Sequence, residues 1–585
     1  MPSRSTPSLD HVRHTLAHLL AHAVQEAWPQ TKFAIGPAIA NGFYYDLDPG
    51  RPLTAADLKP LEKRMNNLIK QRLPMITVPA NDPAVSAFLQ AQPFKQEMLA
   101  ELEQKHEHVT FYRVGQFIDL CRGGHVANTG DINPDGFTLT HVAGAYWRGD
   151  SAKPMLQRIY GLAFATKAEL DAYLAQQTEA KRRDHKILGP ELDLFTFSDL
   201  VGAGLPLWTP RGTVLRDLLD SFVWELRRAA GYERVDIPHL TKKDLYEKSG
   251  HWDKFKDELF KITTREGHLF AVKPMNCPHH VQIYARKQHS YRELPQRYAS
   301  TTKVYRDEQT GELAGLARVR AITQDDAHVF CRLSQVETEA RTIWKIVKTF
   351  YAGAGFSLST RLSLSDPKQP DKYLGDKAKW AQAETILRKI VKAEKAQATE
   401  AIGEAAFYGP KIDFLATDSL GRQWQVATIQ LDMVMPERFD LTCVNEKGDH
   451  ERIVMLHAAI MGSIERYLAI LIEHFAGAFP LWLSPVQVDI LTVAKKHNPT
   501  GKKLFKLLTE AGLRTHFDDT DETVGYKIRR AEKQKVPYMI VVGDKEKSLT
   551  KLAIRVRGKK VVKTVTLKTW LPQLQKLVAK RSVTI

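Results

Sequence analysis

Between Gly212 and Phe475 short strand-like runs outnumber the helical patterns that could carry parallel crossovers. The runs are Glu233–Ile237, closed by Pro238, then Leu269–Val272, Arg297–Tyr305, Val319–Thr323, Lys411–Phe414 and Gln423–Leu431. Parallel neighbours need a connection of about a dozen residues or more, usually a helix. A largely antiparallel sheet is therefore expected, and with it an α+β class. Two helices frame the stretch. Gly212–Ala230 is amphipathic through Val214, Leu215, Leu218, Leu219, Phe222, Val223 and Leu226, with Gly231 as its stop, and Ser463–Phe475 closes the segment.

The flanks have different rhythms. Asp10–Ala27 reads as a helix with an apolar stripe at Leu16, Leu19, Leu20 and Val24, ended by Pro29. Phe43–Leu47 and Phe137–Thr140 read as strands, and the charged stretch Lys181–Pro190, ending in Gly-Pro, as a boundary. After Ser484, strands (Val486–Val493, Arg514–Phe517, Tyr538–Val542) alternate with helices (Lys502–Ala511, Val524–Gln534, Lys568–Ala579), the pattern of a small α/β domain. The expected domains are 1–188, 189–483 and 484–585, within the two to five that a 585-residue chain suggests. No solenoid-period repeat or apolar run of membrane-spanning length occurs, and no membrane partner is expected. Cys121, Cys277, Cys331 and Cys443 are too few and scattered for a disulfide framework, which points to a reducing cytoplasm.

The net charge is +17, and it is unevenly placed. The last 102 residues hold 23 Lys/Arg against 9 Asp/Glu, a net of +14. A solvated surface would explain that, as would a polyanionic partner such as nucleic acid.

Three constellations could carry chemistry. His14, His18 and His22 are spaced by four and share a helical face, and Asp119, Cys121 and His125 follow later. Such groups could hold zinc or could position water and move protons without metal. Cys277, His328 and His457 could leave one open position on a zinc ion, though no spacing rule links them and a buried core role is the default reading of each. Arg306 with Glu308, then Arg318 and Arg320 across the turn Gln309–Ala317, with Arg466 beyond, could bind phosphate or carboxylate. No Walker-type loop is present. A metallopeptidase would need a glutamate after His14, where Thr15 stands.

Together the motifs resemble the threonyl-tRNA synthetase family, within class II aminoacyl-tRNA synthetases, over nearly the whole chain. They are His14-x3-His18, Asp119-x-Cys121-x3-His125, Lys273-Pro274-Met275-Asn276-Cys277-Pro278, Arg318-x9-His328, Tyr408-Gly409-Pro410-Lys411, Thr428-x-Gln430 and Gly462-Ser463-Ile464-Glu465-Arg466. The resemblance implies an N-terminal editing domain, an antiparallel catalytic domain and an α/β anticodon-binding domain, without the small ubiquitin-like domain that often comes first. It implies a homodimer joined through Gly212–Pro238, with ATP, L-threonine and threonine tRNA as substrates and Mg²⁺ accompanying ATP. Threonyl-adenylate would form first, and the threonyl group would then pass to tRNA.

By the same resemblance, Arg306 grips the carboxylate and α-phosphate, with Gln324, Asp326, Tyr408, Lys411 and Gln430 as further catalytic residues. Glu308, Arg318, Gln425, Thr428, Ser463 and Arg466 join Arg306 around ATP. Cys277, His328 and His457 become ligands of one zinc per subunit that threonine's amine and hydroxyl complete, Asp326 accepting from the hydroxyl. Valine lacks the hydroxyl, but serine differs by one methyl, worth about 1–3 kcal/mol. A second, hydrolytic site for seryl-tRNA is therefore expected at His14, His18, Asp119, Cys121 and His125, and the family pattern favours activated water there without metal. Lys535, Glu546 and Arg555 stand at anticodon-reading positions. Departures from the family pattern are Ile322, Ala314, His279, Val426-Ala427, Gly124 and Lys535 itself. They leave two alternatives in view: a synthetase-like RNA-binding regulator, or a duplicate copy reshaped to resist an inhibitor.

Overall fold

A computed structural model describes residues 7–107, 109–559 and 561–585. The chain forms two compact units, residues 1–179 and 180–585.

In the first unit the helix Leu9–Ala27 starts at Ser8, whose hydroxyl accepts from the His11 N–H. Leu16, Leu19, Leu20 and Val24 are buried, as the apolar stripe requires. They pack with Phe33, Phe43, Tyr45 and Leu47 on an antiparallel sheet ordered Lys32–Phe33, Gly42–Asp48, Met155–Ala163, Phe137–Tyr146. A separate antiparallel sheet, Met75–Val78, Phe111–Val114 and Phe117–Leu120, ends one residue before Cys121.

The second unit holds the expected sheet. Its eight strands run in the order Glu233–Arg234, Gln296–Tyr305, Ala321–Cys331, Val454–Ser463, Gln423–Asp432, Lys411–Thr417, Ser357–Leu364, Ala398–Ile402. All pairs are antiparallel except the outermost at each edge. One face carries Ala327, Val329 and Cys331 into a core with Ile343, Trp344 and Val347 of the helix Val336–Ala352. The two-residue period turns the intervening residues, Gln324, Asp326 and His328, to the opposite face. The helix Pro210–Ala229 ends where expected, with Gly231 at φ +80°, a conformation glycine adopts without strain.

Two sequence readings change. Glu233–Ile237 is a strand only over Glu233–Arg234, where it pairs with Tyr298 and Ala299. The run read as Val319–Thr323 begins at Ala321 and continues to Cys331, because ladder partners extend along its whole length. The charged stretch Lys181–Pro190 begins just after the division between the two units at 179/180, and it is helical, in Lys167–Arg183 and His185–Glu191, with His185 and Gly189 buried.

After Ser484, Thr515–Asp518, Val488–Thr492 and Tyr538–Val542 form the parallel half of a five-stranded sheet. The hairpin Lys551–Val556 and Lys563–Thr566, absent from the sequence reading, extends it antiparallel. Among the described residues no helix is long and apolar enough to cross a membrane.

Candidate functional site

Register builds the centre of the large sheet. His328 lies opposite His457, which lies opposite Gln430, which lies opposite Lys411. Residues more than a hundred apart thus become cross-strand neighbours. Cys277 joins them from the first turn of the helix Cys277–Ala285, and the ligating atoms of Cys277, His328 and His457 lie within 4.8 Å of one another, all three residues buried.

The surroundings orient this triad. Asp432 Oδ2 accepts from His457 Nε2 at 2.9 Å, which leaves His457 Nδ1 a bare lone pair turned inward. That nitrogen is 3.0 Å from His328 Nε2, while His328 Nδ1 faces His280 Nδ1 at 2.8 Å. Burial pushes the Cys277 thiol up, as do Asp326 and Asp432, and burial pushes the His328 imidazole down. A soft thiolate and two imidazoles beside two carboxylates, each ring held through its outer nitrogen, form a donor set that fits zinc.

A cavity of about 490 Å³ opens beside the triad, lined among others by Arg306, Asp326, Tyr408, Gln430, His457 and Arg466. Gln324, Lys411, Gln425, Thr428 and Ser463 line it too, as does Ile322. Behind it lies Asp413, wholly buried, which the sequence reading missed. Its carboxylate accepts from Lys411 Nζ at 2.7 Å, Gln425 Nε2 at 2.7 Å, Thr428 Oγ1 at 2.9 Å and Ser363 Oγ at 2.8 Å. One anion thus sets the spacing of three residues on the cavity wall. Its signal in the sequence was its place two residues after Lys411, on the same strand face. Asp432 stands likewise two residues after Gln430. Asp325 is a second hidden anchor: its carboxylate accepts the Ile460, Met461 and Gly462 N–H groups at 3.0 Å, holding the bulge of the strand Val454–Ser463 just before Ser463.

The arginines divide. Arg306 lines the cavity, its guanidinium 5.2 Å above the Phe255 ring. Arg318 is outside the lining, donating to Glu308 Oε2 at 2.7 Å and paired with Glu312 at 3.1 Å. Glu308 is buried beneath it. His279, beside Cys277, is buried and hydrogen-bonded to Thr241 Oγ1 at 2.5 Å, away from the cavity wall.

The first unit contains its own cavity, about 660 Å³, lined by His14, His18, Lys95, Asp119 and Cys121 among others. His125 stands behind it, with Nε2 3.1 Å from Cys121 Sγ. His14 stacks on His125 at 4.2 Å, and His18 meets the edge of that ring at 4.6 Å. His22, spaced with the others, points away toward Glu26 at 3.7 Å. Asp119 is held by a buried ion pair with Lys95, by Tyr45 Oη at 2.5 Å and by the Leu120 N–H at 2.8 Å. Lys95 and Tyr45 were missed because neither lies near a motif in the chain. Burial lifts the Cys121 thiol to about 12 and, with His18 and His14 adding to it, lowers the His125 imidazole to about 2.

In the C-terminal part Arg555 lies opposite Met539 on the sheet, Glu546 accepts from the Gly543 N–H at 3.0 Å, and Lys535 sits at φ +56° just after the helix Val524–Lys533.

Comparison with known proteins agrees with this division. The model "tRNA synthetase class II core domain (G, H, P, S and T)" matches residues 260–475. "Anticodon binding domain" matches 487–577, and "Threonyl and Alanyl tRNA synthetase second additional domain" matches 109–160. A threonine–tRNA ligase of Gloeobacter violaceus is 45% identical over 98% of this chain and 93% of its own. That of Thermus thermophilus is 45% identical over 96% and 87%. A solved structure described as the RNA binding domain of threonyl-tRNA synthetase from Cryptosporidium parvum superposes with a TM-score of 0.64 at 34% identity, covering 67% of this chain and 98% of that one.

Proposed function

The chain belongs to the threonine–tRNA ligase family, and from that premise we propose how its two cavities divide the work. The enzyme attaches threonine to tRNA at the expense of ATP and carries an editing domain. The observation that carries the division is that the cavity of the large sheet gathers Arg306, Arg466, Lys411, Asp326 and Gln430, polar groups that suit an amino acid and a nucleotide, while the first unit holds a separate cluster of histidines and a cysteine.

Activation needs two anions brought together. Arg306 would offset the charge of the threonine carboxylate and the α-phosphate, and Arg318 and Arg466 that of the outer phosphates together with Mg²⁺. Glu308 would face the adenine, and Ile322 would pack on it as an aliphatic face. Gln425, Thr428 and Ser463 would help seat ATP. Gln324, Tyr408, Lys411 and Gln430 would orient the carboxylate for in-line attack, a task of alignment more than proton transfer. Cys277, His328 and His457 would hold one zinc ion, with Asp326 beside it to receive a hydroxyl. When bound there, zinc supplies a Lewis-acidic centre that favours an amino acid with a hydroxyl beside its amine over an isostere without one.

Serine passes that test, so its release falls to the first unit. His14, His18, Asp119, Cys121 and His125 would position a water against the ester of seryl-tRNA. His14, His18, Cys121 and His125 bring one ligand atom each within 4.8 Å of one another, a set that could also hold zinc, and the metal-free reading rests on the family pattern. A checkable consequence follows from the Cys121 thiol at about 12. At pH 8 its alkylation will be slower than that of a free cysteine by about 10³-fold, and the rate will keep rising beyond pH 9. A bound zinc would instead give a rate independent of pH over that range and raised by chelator.

The basic C-terminal domain would take the anticodon arm, with phosphates setting affinity and Lys535, Glu546 and Arg555 meeting bases. Two copies would pair through the Gly212–Pro238 element. All four cysteines are free thiols, which supports work in a reducing cytoplasm. The regulator alternative finds no support, since the clamp arginines and the triad are retained. Purified enzyme should give threonine-dependent ATP–pyrophosphate exchange and should charge threonine tRNA. Absence of both signals would sink the reading.

A further inference from the structure

His185 lies outside both cavities, yet it ties together two elements that carry the phosphate-binding arginines. It opens the helix His185–Glu191 and is 5% exposed. The Leu316 N–H donates to His185 Nε2 at 3.1 Å. A backbone N–H can only donate, so Nε2 is bare and the ring proton sits on Nδ1. Nδ1–H then donates to Glu473 Oε1 at 2.6 Å. With one ring nitrogen donating and the other accepting, no imidazole lone pair remains for an ion, although Asp184, His185 and Glu473 cluster closely enough to suggest one.

Each partner belongs to a functional element. Leu316 is wholly buried in the loop that carries Arg318 two residues on. Glu473 lies in the last turn of Ile464–Phe475, the helix that carries Arg466 in its first. Glu473 is itself braced by Arg422 at 2.5 Å, which also holds Asp418 at 2.7 Å. The loop is shaped around the ring: Gly315 has φ +55°, and a Cβ there would come within 2.4 Å of His185 Nε2. A buried leucine would fill the same space, so a polar ring is kept for its two directed bonds.

We infer that His185 is a positioning residue for ATP: it joins the loop of Arg318 to the helix of Arg466 and so sets the spacing of the two arginines. This rests on the reading that those arginines hold ATP. Loss of the ring leaves the buried Leu316 N–H without a partner, while Glu473 keeps Arg422, and so frees the loop.

The test is steady-state ATP–pyrophosphate exchange on the full-length enzyme, with Arg318→Ala measured in parallel. His185→Ala should raise the KM for ATP about tenfold, the equivalent of one lost buried hydrogen bond, leave the KM for threonine unchanged and lower the melting temperature modestly. His185→Gln, whose amide can accept from Leu316 and donate to Glu473, should recover most of the loss. If Arg318→Ala raises the ATP KM and His185→Ala does not, the inference falls and the ATP-site reading stands. If neither does, both fall. A loss spread equally over both substrates, with no rescue by Gln, would mean that the ring only fills space. Should His185→Ala not fold, Glu473→Gln must raise the ATP KM selectively or the inference is overturned.

Discussion

Cys277→Ser enzyme will purify with only traces of zinc, and its threonine-dependent exchange will fall further than the ~10–100-fold expected for loss of a hydrogen-bond partner behind a ligand. The triad explains the size of the effect. Cys277 is wholly buried, and burial with two nearby carboxylates keeps its thiol protonated when no cation is near. A serine hydroxyl is far harder to deprotonate and is a harder ligand, so it cannot replace a thiolate. The two histidines alone would leave an incomplete set. Asp432→Asn is the graded companion. An amide can turn its NH₂ toward His457 Nε2 in place of the accepting oxygen, so the ring loses its orientation while all three ligands remain. That variant should lie within the ~10–100-fold range, below Cys277→Ser. Metal content is read by elemental analysis and activation by exchange. Full zinc occupancy in Cys277→Ser would remove Cys277 from the ligand set.

Lys95→Met should destabilise the first unit by about 3–5 kcal/mol, because it leaves Asp119 buried without its cation. Both side chains are 2% exposed, so solvent cannot take over the role of the ammonium. Tyr45 and the Leu120 N–H still donate to the carboxylate, but neither brings a full charge. A urea titration of the full-length protein, followed by hydrogen exchange of residues 9–27 and 111–120, resolves the unit concerned. Adding Asp119→Asn should recover much of the loss, since the charge that lacked a partner is then gone. The double variant should still fail to hydrolyse seryl-tRNA, which separates stability from editing. A Lys95→Met protein as stable as the parent would show that the pair contributes nothing to the fold.

Much of the architecture was legible because it depends on local periodicity. The helix Leu9–Ala27 followed from a stripe at Leu16, Leu19, Leu20 and Val24, and the antiparallel sheet from the scarcity of crossovers. The hairpin Lys551–Thr566 was passed over although Leu552, Ile554 and Val556 alternate inward, because its second strand, Lys563–Thr566, lies at the sheet edge and has no fully buried residue. Charge and Gly-Pro at Lys181–Pro190 are local signals and marked a place beside the division of the units, whereas the burial of His185 depends on Glu473 almost three hundred residues away.

The same distinction governs the sites. The residue types were fixed along the chain: the histidine spacing in the first helix, the Asp119-x-Cys121-x3-His125 run, the arginines around a turn, the basic excess after Ser484. Those are patterns of identity and spacing, and identity is what a sequence contains. Convergence was decided elsewhere. Strand register set His328 beside His457, and burial made Asp413, Asp432, Lys95 and His185 into anchors that no motif marks. Such groups act through directed bonds in a low-dielectric interior, and only the folded chain creates that interior.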